Sequence, residues 1–90
     1  MKRVELVVTG RVQGVGFRGF VRQRADELGI RGTVRNTPAG DLEVVGEGTP
    51  EALAEFVREV RRGPMRARVE QVSEQWSEGA PAHRRFEITG

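Results

Sequence analysis

Apolar and polar positions change period several times along this chain, and each change marks an element. Residues 3–10 alternate, with Val4, Leu6 and Val8 on one side and Glu5, Val7 and Thr9 on the other. Period two with β-branched residues predicts a strand, which Gly10 ends. A compact loop, Arg11 to Gly16, follows. Phe17, Phe20, Val21, Ala25 and Leu28 then recur at spacings of three and four, the signature of an amphipathic helix, and Gly29 is placed to stop it. Residues 30–37, with Ile30 and Val34, read as a second strand. The cluster Thr37-Pro38-Ala39-Gly40-Asp41 predicts a hairpin turn into a third strand over 42–48. Thr49 suits an N-cap and Pro50 the first helical position. Leu53, Phe56, Val57 and Val60 give the second helix its stripe, and Gly63-Pro64 stops it. A fourth strand is expected over 66–76. Val69 and Val72 are three apart, which fits a bulge between them. A loop at 78–81 precedes a short last strand with Phe86 and Ile88.

This order predicts an α+β fold, the ferredoxin-like split βαβ (βαββαβ), with an antiparallel sheet and two helices packed on one face. Ninety residues are one domain's worth of chain, so residues 1–90 are expected to form a single domain and not a two-domain enzyme. The fold hosts many functions and proves none.

Composition narrows the chemistry. With no Cys there is no disulfide framework, thiolate metal site or cysteine nucleophile, and one His, His83, cannot form a multi-His cluster. No apolar run approaches the roughly 18 residues of a membrane span, and no signal segment follows Met1-Lys2-Arg3. The expected location is the cytoplasm, with no membrane partner. Fifteen cations against 13 acids leave a net charge of +2, and Lys2 is the only lysine. The arginines alternate with glutamates, as in Arg58-Glu59 and Arg68-Val69-Glu70. That pattern reads as surface solvation and argues against the one-sided patch a nucleic-acid site needs.

The strand–loop–helix junction, Gly10-Arg11-Val12-Gln13-Gly14-Val15-Gly16-Phe17-Arg18, stands out. Gly14 and Gly16 permit torsions that let successive N–H groups face one concavity. The helix starting near Phe17 adds unsatisfied N–H groups and a partial positive charge. Together they suit an anion the size of phosphate. Arg18 breaks a local rule, because a cation is disfavoured at a helix N-terminus. A bound anion removes the conflict, and a guanidinium grips two phosphate oxygens at once. Gly14 to Gly19 also matches G-x-G-x-x-G. A dinucleotide site is excluded by chain length and by Asn36 and Thr37 where an acid should close the second strand. A nucleotide P-loop lacks its Gly-Lys-Ser/Thr. On the glycines alone, an ordinary strand–helix turn with an exposed Arg remains open.

The nine residues Gly10 to Arg18, followed by Phe20, Val21, Ala25 and Leu28-Gly29, resemble the acylphosphatase family. Val34-Arg35-Asn36-Thr37, Gly40 and Glu43 extend the resemblance, which spans essentially the whole chain. It implies a ferredoxin-like fold and hydrolysis of a carboxyl–phosphate anhydride to carboxylate and inorganic phosphate, without metal or cofactor. Carried over by motif, Arg18 binds the substrate phosphate. The N–H groups of Gln13, Gly14, Val15, Gly16, Phe17 and Arg18 complete the cradle, and Asn36 orients the attacking water. No covalent enzyme intermediate is implied. Thr33 stands where relatives are commonly aromatic, Gly19 where a larger residue is frequent, and the chain ends Phe86-Glu87-Ile88-Thr89-Gly90 where relatives often end in Tyr. None of these touches Arg18 or Asn36, and efficiency is affected before reaction type.

The residues suit that chemistry. A carboxylate, with a pKa of about 4–5, leaves without protonation, so the protein need only hold the phosphoryl group, stabilise its charge and place a water. A phosphate monoester needs a general acid or a metal besides. His83 reads as a surface strand residue, Trp76 and Phe86 as core or edge packing, and Glu43 and Glu47 as the solvent-facing side of a strand. An RNA-binding module of the same fold is the main rival. It needs exposed aromatics on the central strands, and the first and third strands have none. A second rival keeps the loop only to hold phosphate or carbamoyl phosphate. The expectation is a stand-alone monomer acting on a small-molecule acyl phosphate, not a unit fused into a larger carbamoyl-transferring protein.

Overall fold

The computed structural model describes all 90 residues, Met1–Gly90. The elements are β1 (Lys2–Arg11), α1 (Phe17–Leu28), β2 (Arg31–Asn36), β3 (Leu42–Gly48), α2 (Pro50–Arg62), β4 (Arg68–Glu78) and β5 (Phe86–Ile88). They form one sheet in the order β4-β1-β3-β2-β5. The neighbouring pairs β4-β1, β1-β3 and β3-β2 are antiparallel, as the split βαβ arrangement requires, and the short β5 lies parallel to β2. β4 and β5 occupy opposite edges. Their connection, residues 79–85, crosses the end of the sheet and delivers β5 in the direction of β2.

Alternation along the strands sorts the two faces. Val4, Leu6 and Val8 of β1, Leu42 and Val44 of β3, Val34 of β2 and Phe86 of β5 are buried on the helix side. Against them lie Phe17, Val21 and Ala25 of α1 and Leu53, Phe56, Val57 and Val60 of α2. These residues belong to one continuous core. Phe56 meets Phe86 edge-on at 5.9 Å between ring centroids, which ties β5 to α2. Truncating a ring buried this fully costs about 3–5 kcal/mol.

The helix ends follow their sequence signals, with one exception. Thr49 Oγ1 accepts from the Ala52 N–H at 3.2 Å, Pro50 opens α2, and Glu51 lies in its first turn. Gly29 takes the left-handed conformation that closes α1. The start of α1 has neither a side-chain cap nor an acid. The expected bulge in β4 is present. Thr9 pairs with Gln71 and Gly10 with Val69, which leaves Glu70 as the extra residue.

Two residues depart from expectation. Glu47 does point to the face away from the helices, opposite Arg3 and Arg31, yet it is only 2 % exposed. The crossing segment 79–85 covers it. Its carboxylate accepts from Arg3 Nη2 at 2.6 Å, from the Ala82 N–H at 3.0 and 3.1 Å, and from the His83 N–H at 3.1 Å. His83 lies in that segment, not in a strand, and is half-buried with Nδ1 3.1 Å from Glu47 Oε2. Trp76 sits on the edge strand β4, and its indole N–H donates to Glu74 at 2.9 Å. Seven arginines (Arg3, Arg24, Arg35, Arg58, Arg61, Arg62 and Arg85) are within ion-pair distance of glutamates. That agrees with solvation as the reason for the arginine excess.

Candidate active site

Strand order decides which residues can meet. β1 and β2 run the same way with β3 between them, and Val8, Leu42 and Asn36 are successive partners in one cross-strand row. The loop that follows β1 and the C-terminal end of β2 therefore share one end of the sheet. A direct contact joins them, since Gln13 Nε2 donates to the Thr37 carbonyl at 3.4 Å.

Inside the loop, buried and exposed residues divide the work. Val12 and Val15 are buried and anchor it, while Gln13, Gly14 and Gly16 are exposed. Gly14 (φ 68°) and Gly16 (φ 75°) are left-handed, and the loop could not take this path with β-carbons there at low cost. Gly16 is also the N-cap of α1. Its carbonyl accepts from the Phe20 N–H at 3.1 Å. The N–H groups of Phe17, Arg18 and Gly19 precede that first helical bond and have no intrahelical acceptor. The start of α2 has both a side-chain cap, Thr49, and a first-turn acid, Glu51, so the bare start of α1 is a local difference between two helices of one molecule.

Phe17 is buried and fixes the first turn to the core, with Phe20 edge-on to it at 6.1 Å. Arg18, the next residue, is exposed. Its guanidinium takes part in none of the ion pairs described above. Asn36 ends β2 with its side chain on the helix side, in register with buried Leu42. Its Nδ2 is buried and has no hydrogen-bond partner. Two other buried nitrogens lack hydrogen-bond geometry, but Arg24 Nε lies 2.9 Å from Glu59 and His83 Nδ1 lies 3.1 Å from Glu47. Only Asn36 has no acceptor at all.

Thus the loop 13–17, the first turn with Arg18, and Asn36 all stand at one end of the sheet. No spacing in the sequence signals the side-chain link from Gln13 to Thr37. Thr33 pairs with Val45 on the opposite face from Asn36, so its departure from the family pattern lies away from this site. No three His, Asp or Glu side chains converge on a point, and no helix is long and apolar enough to cross a membrane. The face of β1 and β3 away from the helices carries Glu5, Val7, Glu43 and Val45, without an aromatic.

The acylphosphatase family model matches residues 4–88. An acylphosphatase of Thermus thermophilus is 50 % identical over 80 residues, which cover 89 % of this chain and 91 % of that one. One from Salinibacter ruber is 46 % identical over 87 residues, covering 97 % and 92 %. The crystal structure of an acylphosphatase from Bacillus subtilis is similar with a TM-score of 0.96 at 39 % identity, over 100 % of both chains.

Proposed function

This chain belongs to the acylphosphatase family, hydrolases that act on acid anhydrides, and from that premise we propose how its own residues carry the reaction. Residues 1–90 act as one domain. The N–H groups of residues 13–18 and the Arg18 guanidinium hold the phosphoryl oxygens of an acyl phosphate. Asn36 hydrogen-bonds a water and directs it at phosphorus. The water oxygen forms a bond to phosphorus as the bond from phosphorus to the acyl oxygen breaks. The carboxylate departs unprotonated, and the water's proton passes to the phosphate. No side chain becomes covalently attached.

The observation that carries this reading is the unpartnered Asn36 Nδ2, at the same end of the sheet as the uncapped start of α1. A donor without an acceptor and a set of N–H groups without a cap suit a reaction that needs one placed water and one bound anion. Charge stabilisation and positioning are nearly all that phosphoryl transfer asks of a protein. The same reading has the chain act in the cytoplasm as a monomer on a small molecule. Its product is inorganic phosphate, with no nucleic acid or membrane as partner. The open sheet face without aromatics disfavours the RNA-binding alternative.

The test is the initial rate of benzoyl phosphate hydrolysis in EDTA for the wild type, Arg18→Ala and Asn36→Ala, with folding followed by circular dichroism. Turnover that is lost in both folded variants is expected. A folded wild type without turnover would sink the assignment.

A further inference from the structure

The end of the sheet that carries the phosphate loop also gathers unpaired positive charge. Arg11 closes β1 and Arg68 opens β4, and the two are direct cross-strand partners. Both are exposed, as is Arg66 just before β4, and none of the three belongs to the ion pairs described above. The unpaired acids at this end are Asp41 and Glu70. Against Arg11, Arg18, Arg66 and Arg68 they leave positive charge in excess. A backbone contact holds the arrangement. A β-carbon on Gly10 would collide with the Arg68 carbonyl oxygen and the Glu70 nitrogen, so the glycine lets β4 close on β1 past the bulge and sets Arg68 opposite Arg11. Like charges directly opposite in a sheet are destabilising. The fold thus keeps a repulsive pair at the end where an anion has to arrive.

Arg11 follows Glu5, Val7 and Thr9 on the face away from the helices, and its partner Arg68 shares that face. Asn36 is on the other. The pair is therefore placed to act on the phosphoryl group through its field and not through contact. Arg11 is two residues from Gln13, at most about 7 Å of backbone, which is inside the Debye length of about 8 Å at physiological ionic strength. We propose that Arg11 and Arg68 guide the doubly charged phosphoryl group to the loop, speeding its capture without taking part in the reaction. The inference rests on the acyl phosphate reading above. A positive surface beside a site raises on-rates by about 10–10³ and loses that advantage in salt.

The test measures kcat and KM for benzoyl phosphate and, by calorimetric titration, the dissociation constant of inorganic phosphate. Each is taken in about 0.01 M and about 1 M salt, where the Debye length is about 30 Å and 3 Å. The proteins are the wild type, Arg11→Gln, Arg68→Gln, the double variant and Arg84→Gln. Arg84 is also exposed and outside the ion pairs, but it lies in the crossing segment at the far end of the sheet. Removing the like-charge pair should leave Tm equal to the wild type or higher. In low salt the double variant should lose about tenfold in kcat/KM, through KM with kcat unchanged, and should bind phosphate more weakly. Each single variant should lose part of that. In high salt all should match the wild type, and Arg84→Gln should match it in both. Unchanged constants in low salt overturn the proposal. A loss of the same size at both salts does so too, since it marks damage to the loop. An equal loss in Arg84→Gln also overturns it, since net charge would then matter and place would not. A wild type that binds phosphate without turning over benzoyl phosphate overturns the acyl phosphate reading, and the phosphate constants alone then decide the arginine pair.

Discussion

Glu47 Oε2 and Arg3 Nη2 lie 2.6 Å apart across the β1–β3 pairing, on the sheet face away from the helices. Glu47 is covered by the segment that carries the chain from β4 to β5, while Arg3 stays partly exposed. Burial alone would raise the Glu47 pKa. The Arg3 guanidinium, the N–H groups of Ala82 and His83 and the His83 ring outweigh it and hold the carboxyl down at about 2, against an ordinary 4.5. Glu47 thus fastens the crossing segment to the sheet, and through that segment it fixes the approach to β5.

Because the folded pKa lies below the unfolded one, this contribution is complete above about pH 4.5 and is lost as the pH falls towards 2. The shift corresponds to about 3 kcal/mol. Urea unfolding followed from pH 7 down to pH 2 should show wild-type stability falling through that window. Glu47→Gln should be less stable at pH 7 and should show a shallower fall. An identical pH profile in the two proteins would remove Glu47 from this role.

Gly16→Ala should strain the left-handed N-cap of α1 without a steric clash, since nothing lies within 4 Å of the added carbon. The expected cost is about 1–2 kcal/mol, which lowers Tm by about 4–8 °C for each kcal/mol in a domain of this size. The loop also carries the N–H groups assigned to the phosphate. Inhibition by inorganic phosphate should therefore weaken even at temperatures where the variant is fully folded. A lowered Tm with an unchanged phosphate inhibition constant would limit the glycine to a structural role.

Arg18→Lys keeps the charge and loses the planar fork. If two phosphate oxygens are held at once, lysine should fall at least about tenfold short of arginine in kcat/KM while exceeding alanine. Arg18→Ala should lose roughly 3–4 kcal/mol of transition-state stabilisation, the scale of one such donor. Steady-state kinetics at fixed ionic strength gives the order of the three. Lysine equal to arginine would mean that only the charge matters.

Much of the fold could be read from the sequence because local signals and core packing agree. The helix stripes from Phe17 to Leu28 and Leu53 to Val60 are the faces that α1 and α2 bury. The uneven spacing of Val69 and Val72 marked the bulge at Glu70. What escaped depends on contacts between distant segments. Alternation put Glu47 on the outer face correctly, but period two says nothing about a segment 35 residues later that covers that face. The parallel direction of β5 likewise follows from where residues 79–85 cross, which no local pattern encodes. At the candidate site, the glycines and Arg18 carry their own signal, since each breaks a local rule. Asn36 by itself reads as an ordinary strand end. Its place beside the loop follows from the order β1-β3-β2, and its lack of a partner is visible only in three dimensions.

The decisive measurement is the pair of constants kcat and the phosphate inhibition constant for Asn36→Ala. If Asn36 holds water while the loop and Arg18 hold phosphate, kcat should fall by about 100-fold or more with phosphate inhibition within about twofold of wild type. A phosphate inhibition constant that rises in step with the loss of kcat would contradict this division, and would make Asn36 part of the anion site.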